Sequence, residues 1–175
     1  MAGEASNIRV WETGDVFLLE PGVTYVEATH LPATIDGSLG SAWIPAGLMM
    51  GSPGVSMARS IDRTDVNSWQ QGRVKERVKN PKVDFTFNLL EDNEIVEFLV
   101  DPAAVPKVQK LHVALEFVDD AGYKKRWVSK APVDLFVSAD NQEQDINGRE
   151  VTGTLVPVAG EYWNIQAGVL GGEGV

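Results

Sequence analysis

One run constrains this chain more than any other. From Arg73 to Leu89, "RVKERVKNPKVDFTFNL", side-chain character alternates with a period of two. In its first half Arg73, Lys75, Arg77 and Lys79 share one face, with Val74, Glu76 and Val78 on the other. In its second half Val83, Phe85, Phe87 and Leu89 alternate with Asp84, Thr86 and Asn88, the pattern of a half-buried strand. Pro81 lacks the N–H a ladder needs, so it marks a bulge or an edge. The period then changes. Ile95, Phe98 and Leu99 fall at i, i+3 and i+4, one stripe of a short helix over about 91–100, and Glu91, Asp92 and Glu94 gather at its positive N-terminus. Asn88 with Glu91, or Asp92 alone, fits the first turn as a cap, and Pro102 ends the helix.

The rest of the chain supplies more strand signals. Short apolar runs in "DVFLLEPGVTYVEAT" are broken at Pro21-Gly22, and "GVSMARSIDRTDV" places Val55, Met57, Arg59 and Ile61 on one face. "QKLHVALEFVD" and "YKKRWVSKAPVDLFV" read as two strands joined by a "DDAG" hairpin turn, with "EVTGTLVPV" and "EYWNIQAGV" as two more. Residues 30–54 are punctuated by Gly, Pro and Ser. Yet they carry Trp43, Ile44, Leu48, Met49 and Met50, too apolar for a bare linker, so the loop is expected to pack or to bind. The sum is seven or so strands and one helix. That predicts a mostly-β (α+β) antiparallel sandwich or barrel in a single domain over 1–175, with an N-terminal arm about 1–15, a long loop about 30–54 and a C-terminal arm about 159–175.

Charge narrows the function. Residues 1–58 hold six acids against Arg9, residues 140–175 hold six against Arg149, and the middle holds thirteen of each sign, giving −5, −5 and 0 for the total of −10. An acidic surface of this kind does not grip a phosphate backbone. With no cysteine, disulfides, thiolate metal sites and a cysteine nucleophile are excluded. No run approaches the ~18 apolar residues of a membrane helix, and "MAGEASNIRV" lacks the basic start and apolar core of a secretory signal, so the chain is expected to fold in a cytoplasm.

No catalytic set emerges. His30 and His112, the only histidines, sit in no metal-binding spacing and read as surface or interface side chains. Asp119-Asp120 falls in a hairpin turn and Glu91-Asp92 at a helix start, and each place explains its acids. "DRTDVN" lacks the glycine and terminal glutamate of a calcium loop, and the glycines of "GSPGVS" and "LGGEGV" lack the strand-to-helix setting of a phosphate cradle. The expectation is a protein that is not an enzyme and takes no cofactor or metal. Trp127 and Trp163 fall in strands as core or sheet-surface residues. Trp11, Trp43 and Trp69 fall in an arm and loops, where large aromatics serve as interface anchors.

The succession "GVSMARSIDRTDV", a tryptophan loop, "VKNPKVDFTFNLLEDNEIVEFLVD" with its aromatic strand and single helix, from about Asn7 to Trp163, resembles the major tail (tail tube) proteins of long-tailed, non-contractile phages, especially those of actinobacterial hosts. The resemblance implies a β-sandwich subunit, its helix packed outside the sheet, forming hexameric rings that stack into a tube in the virion after assembly in the host cytoplasm. Tape-measure, tail-tip and tail-terminator proteins would be its partners. DNA would pass through the lumen without sequence-specific binding, and nothing would insert in a membrane. Interface candidates are Trp11, Trp43, Ile44, Leu48, Met49, Trp69, Arg73, Lys75, Arg77 and Lys79, the basic face meeting the acidic arms across a subunit boundary. Asp62, Asp65 and Asp84 are the lumen candidates. A tail terminator, a head–tail connector ring, or a β-sandwich decoration or binding module are the alternatives.

Overall fold

The computed structural model describes residues 10–51, 54–69, 72–91, 93–99, 105–142 and 147–171. They form ten strands: β1 (Trp11–Leu19), β2 (Trp43–Pro45), β3 (Ser56–Ser68), β4 (Gly72–Leu89), β5 (Gln109–Leu111), β6 (Val113–Asp119), β7 (Tyr123–Ser129), β8 (Val133–Gln142), β9 (Asn147–Leu155) and β10 (Trp163–Val169). Helix α1 (Glu27–His30) precedes β2, and α2 (Glu94–Leu99) follows β4. The strands make two antiparallel five-stranded sheets, ordered β10-β7-β6-β1-β2 (sheet A) and β3-β4-β9-β8-β5 (sheet B). The expected β-sandwich is present.

Alternation decides which side chains meet. Val83, Phe85, Phe87 and Leu89 of β4 are buried against Val16 and Leu18 of β1, Val113 and Leu115 of β6, and Leu135 and Val151 of sheet B. Phe85 lies opposite Gly153 of β9, where an added Cβ would fall 2.4 Å from the Phe85 ring. The missing side chain is the room that the phenyl ring occupies.

Two runs read as single strands are each two. "QKLHVALEFVD" breaks at His112 and "YKKRWVSKAPVDLFV" breaks over 130–132; β5 and β8 belong to sheet B, β6 and β7 to sheet A. Alternation survives a change of sheet, so it could not signal the break. The two crossings are bonded to each other: Val113 N donates to Ser129 Oγ at 2.9 Å, and His112 Nδ1 lies 3.0 Å from Ser129 O. The DDAG turn forms as expected, with Asp119 Oδ1 accepting from Ala121 N and Tyr123 N and Gly122 at φ +75.

Helix α2 is shorter than its predicted span. Asn93 caps it, Oδ1 accepting from Val96 N at 3.0 Å, in place of Asn88 with Glu91; Asp92 and Pro102 lie outside the described residues. The buried stripe is Ile95, Val96 and Leu99, which enter the inter-sheet core, while Phe98 faces solvent. Against the predicted stripe of Ile95, Phe98 and Leu99, Val96 is buried and Phe98 is exposed. Single-turn α1 was not expected.

A second apolar cluster lies on the far face of sheet A. Leu19, Trp43, Ala114 and Val128 are buried there under Val23, Tyr25, Leu31 and Leu39 of the 20–42 segment. Arg126, fully buried, fixes that cover. Its guanidinium is paired with Glu116, donates to Gln166 Oε1 at 2.9 Å, and donates to the Gly37 carbonyl at 2.5 Å. Lys124 Nζ lies 2.8 Å from the other Glu116 oxygen, and Gln166 Nε2 donates to Pro32 O at 2.6 Å. A buried guanidinium has to be paired, and carbonyls of the covering loop complete its fork.

Candidate assembly surfaces

β4 pairs with β9 only from Val83 onward, while its pairing with β3 runs to Gly72. The hairpin arm comprising about 62–79 therefore extends beyond β9, with both outer strand edges unpaired among the described residues. At its base Ser60 pairs with Lys82 and Asp62 with Lys79, so Asn80 and Pro81 together face Ile61. This is a β-bulge. Asn80 takes φ +52 and donates from Nδ2 to Asp62 Oδ2 at 2.9 Å.

The bulge shifts the phase of β4 by one. Directly paired residues of an antiparallel ladder share a face. Ser60, Asp62, Thr64 and Val66 continue the outer face of sheet B along β3, and their partners are Lys82, Lys79, Arg77 and Lys75. Even-numbered Lys82, Asp84, Thr86 and Asn88 are thus joined on one face by odd-numbered Lys75, Arg77 and Lys79. Across β9 and β8 that face continues through Thr152, Thr154, Phe136 and Ser138, a largely hydroxyl-bearing surface. Thr154 Oγ1 donates to Asp84 Oδ1 at 2.7 Å, and Lys82 Nζ is 3.0 Å from Asp84 Oδ2.

The sequence-predicted residues are thereby divided. Asp62 and Asp84 share the outer face with the basic row, whereas Asp65 pairs with Glu76 on the opposite face, where Arg63 also meets Glu76 at 3.6 Å. Lys75, Arg77 and Lys79 are exposed, without an ion-pair partner among the described residues; the Arg73 side chain lies outside them. Trp69, at the hairpin turn, is fully exposed, and Leu48 is exposed at the opposite end of β4, bonded through its carbonyl to Leu90 N at 2.9 Å. Trp11 is partly exposed, its ring 5.6 Å from Phe117. Ile44 and Met49 are half-buried against the main core.

Trp43 is a correction to the picture of a projecting loop. It is 4% exposed, and its indole N–H donates to His30 O at 2.8 Å, so it pins the 20–42 segment to its own sheet. The arms are also less free than their composition suggests. Residues 11–15 belong to β1 and 163–169 to β10, while 1–9 and 172–175 lie outside the described residues.

His112 is half-buried at the sheet-switching corner, its ring stacked 4.5 Å from Tyr25, which in turn stacks 5.8 Å from His30. Burial holds its imidazole below the usual histidine range; the Ser129 carbonyl opposes this shift and nearby His30 adds to it. Burial pushes the Tyr25 hydroxyl up. A cavity of about 300 Å³, lined by Glu20, Tyr25, Lys110 and His112 among others, reaches this stack. Among the described residues no three His, Asp or Glu are grouped to hold a metal ion, and no helix is long and apolar enough to cross a membrane.

No protein-family model matches the chain, and no curated protein matches it. Among solved structures it is similar to a chain from a cryo-EM structure of an extracellular contractile injection system, the PVC sheath–tube complex in its extended state. Identity is 14%, over 95% of this chain and 99% of that one, with a TM-score of 0.46.

Proposed function

We propose that this chain is the wall subunit of a phage tail tube, forming hexameric rings that stack into the conduit for DNA ejection. The observation that carries the reading is the β3–β4 hairpin: an eighteen-residue strand overruns its neighbour, leaving two strand edges unpaired among the described residues. Isolated soluble domains shield such edges, and closure into a ring of copies removes them. The segments whose order resembles tail tube proteins map onto contiguous structure: the "GVSMARSIDRTDV" strand is β3, the tryptophan loop is the hairpin turn, the aromatic strand is β4 and the helix is α2.

In this reading the outer face of sheet B over β9, β8 and the Val83–Leu89 half of β4, with Asp84, lines the lumen, Asp62 stands at its rim where that face passes into the hairpin, and the chain performs no catalysis. DNA meets hydroxyls and mixed charge there rather than a gripping basic groove. Tape-measure, tail-tip and terminator proteins are the partners, and the virion tail is the location.

Negative-stain electron microscopy of concentrated protein, beside its elution volume on a sizing column, tests the reading. Hollow tubes with a regular axial repeat are expected. Isolated rings would identify a connector or terminator instead, and a persistent monomer, unresponsive to an added tail tip, would refute the conduit.

A further inference from the structure

Two exposed stripes of like charge stand at opposite ends of β4. On the hairpin, Lys75, Arg77 and Lys79 repeat every second residue beside Val66 and the fully exposed Trp69. On α2, the solvent face carries Glu94, Glu97 and Phe98 at i, i+3 and i+4, and exposed Leu48 and Leu90 sit at the same end of the strand. Neither stripe has an ion-pair partner among the described residues, and α2 has no basic residue in its last turn. Like charges spaced this way repel mildly within each element, so each stripe is relieved by a surface of opposite sign.

We propose that the two stripes dock onto each other between copies: the hairpin of one subunit sits on the α2 end of the next. Lys75, Arg77 and Lys79 face Glu94 and Glu97, while Val66 and Trp69 cover Phe98, Leu48 and Leu90. Arg77, at the middle of the basic row, and Leu90 are roughly 43 Å apart along β4 at about 3.3 Å per residue, so one copy cannot satisfy both. A contact joining different patches on successive copies is heterologous and propagates rather than closing a pair. For its axial direction the contact rests on the tube reading. It replaces the acidic termini as the partner of the basic face, because the acids of α2 are flanked by exposed apolar side chains that match those of the hairpin.

The test uses the full chain in three forms: wild type, Lys75→Glu with Arg77→Glu, and Glu94→Lys with Glu97→Lys. All substituted side chains are exposed, and far-ultraviolet circular dichroism checks that each form folds. Sedimentation velocity at low salt is expected to show self-association weakened about 100-fold or more in each reversed form, because like charges then face each other. An equimolar mixture of the two reversed forms should recover association, since each presents the complement of the other. Raising salt should shrink the difference. Reversed forms that associate as wild type, a mixture that stays dissociated, or a wild-type chain that remains monomeric would overturn the contact. Wild-type association that follows this pattern without hollow tubes in the microscope keeps the contact and refutes the tube.

Discussion

Arg126→Met separates the two roles that the buried guanidinium combines, pairing Glu116 and clamping the loop over sheet A. Methionine keeps the apolar stem but removes donors to Glu116, Gln166 and the Gly37 carbonyl. Breaking a buried pair by removing one partner costs about 3–5 kcal/mol. Here Glu116 retains Lys124 at 2.8 Å, which places the expected loss near the lower end, about 3 kcal/mol. For a domain of this size that is a fall of roughly 6–12 °C in Tm. Thermal unfolding would measure it, and hydrogen exchange would locate it: residues 32–40 should lose protection while the β4–β9 ladder keeps its own. Adding Glu116→Leu should recover most of the loss, because the carboxylate left with Lys124 as its one remaining partner is gone and Lys124 can extend toward water. A Tm shift under about 2 °C for Arg126→Met, or unchanged exchange over 32–40, would show that the loop is held by its apolar cluster alone.

The remaining expectations concern packing and pH. Gly153→Ala would place a methyl 2.4 Å from the Phe85 ring in the core, and overpacking of this kind is expected to lower stability by about 1–3 kcal/mol in urea unfolding. Trp43→Phe removes the donor to His30 O, and a loss of about 1 kcal/mol with faster exchange in 20–31 should follow. His112 is held below its ordinary value in the folded chain, so the unfolded chain takes up the proton first. Stability should be full above about pH 6.5 and fall by up to ~1.4 kcal/mol per pH unit below it, until the folded ring also protonates. Urea midpoints of wild type and His112→Gln across pH 5–8 should then converge as pH falls; parallel curves would remove His112 from the acid response.

How much of this was legible in the sequence depends on what each signal encodes. Period-two alternation located the second half of β4 and β9 because burial of one face forces it. It could not say where "QKLHVALEFVD" changes sheet, since β5 and β6 present the same alternation to the one shared core from opposite sides. The sequence offers Trp43 as an interface anchor because a tryptophan in a Gly- and Pro-rich loop gives no hint of its partner. That partner is sheet A's outer face, assembled from β1, β6 and β7 far along the chain. Arg126 carried no signal of burial at all: in "YKKRWVS" it is one of three consecutive basic residues, and only Glu116 opposite it on β6 sets it apart.

The bulge bears most directly on function. Pro81 announced an interruption, but strict alternation from Arg73 to Leu89 would put the basic residues on the same face as Phe85 and Phe87, the core side. The extra residue at Asn80–Pro81 instead carries Lys75, Arg77 and Lys79 to the face of Asp84 and Thr86. That phase change lets one strand serve two environments. Its Val83–Leu89 half buries phenyl rings between the sheets, and its Gly72–Lys79 half turns charge outward where no second sheet could bury it. Deleting Asn80 should restore one phase through the strand and drive the basic row to the core side. The hairpin's outer face would then lose its cations, and association measured by sedimentation should fall as far as it does on reversing Lys75 and Arg77. Association unchanged by the deletion, in a chain that still folds, would mean that the face on which those cations stand does not matter.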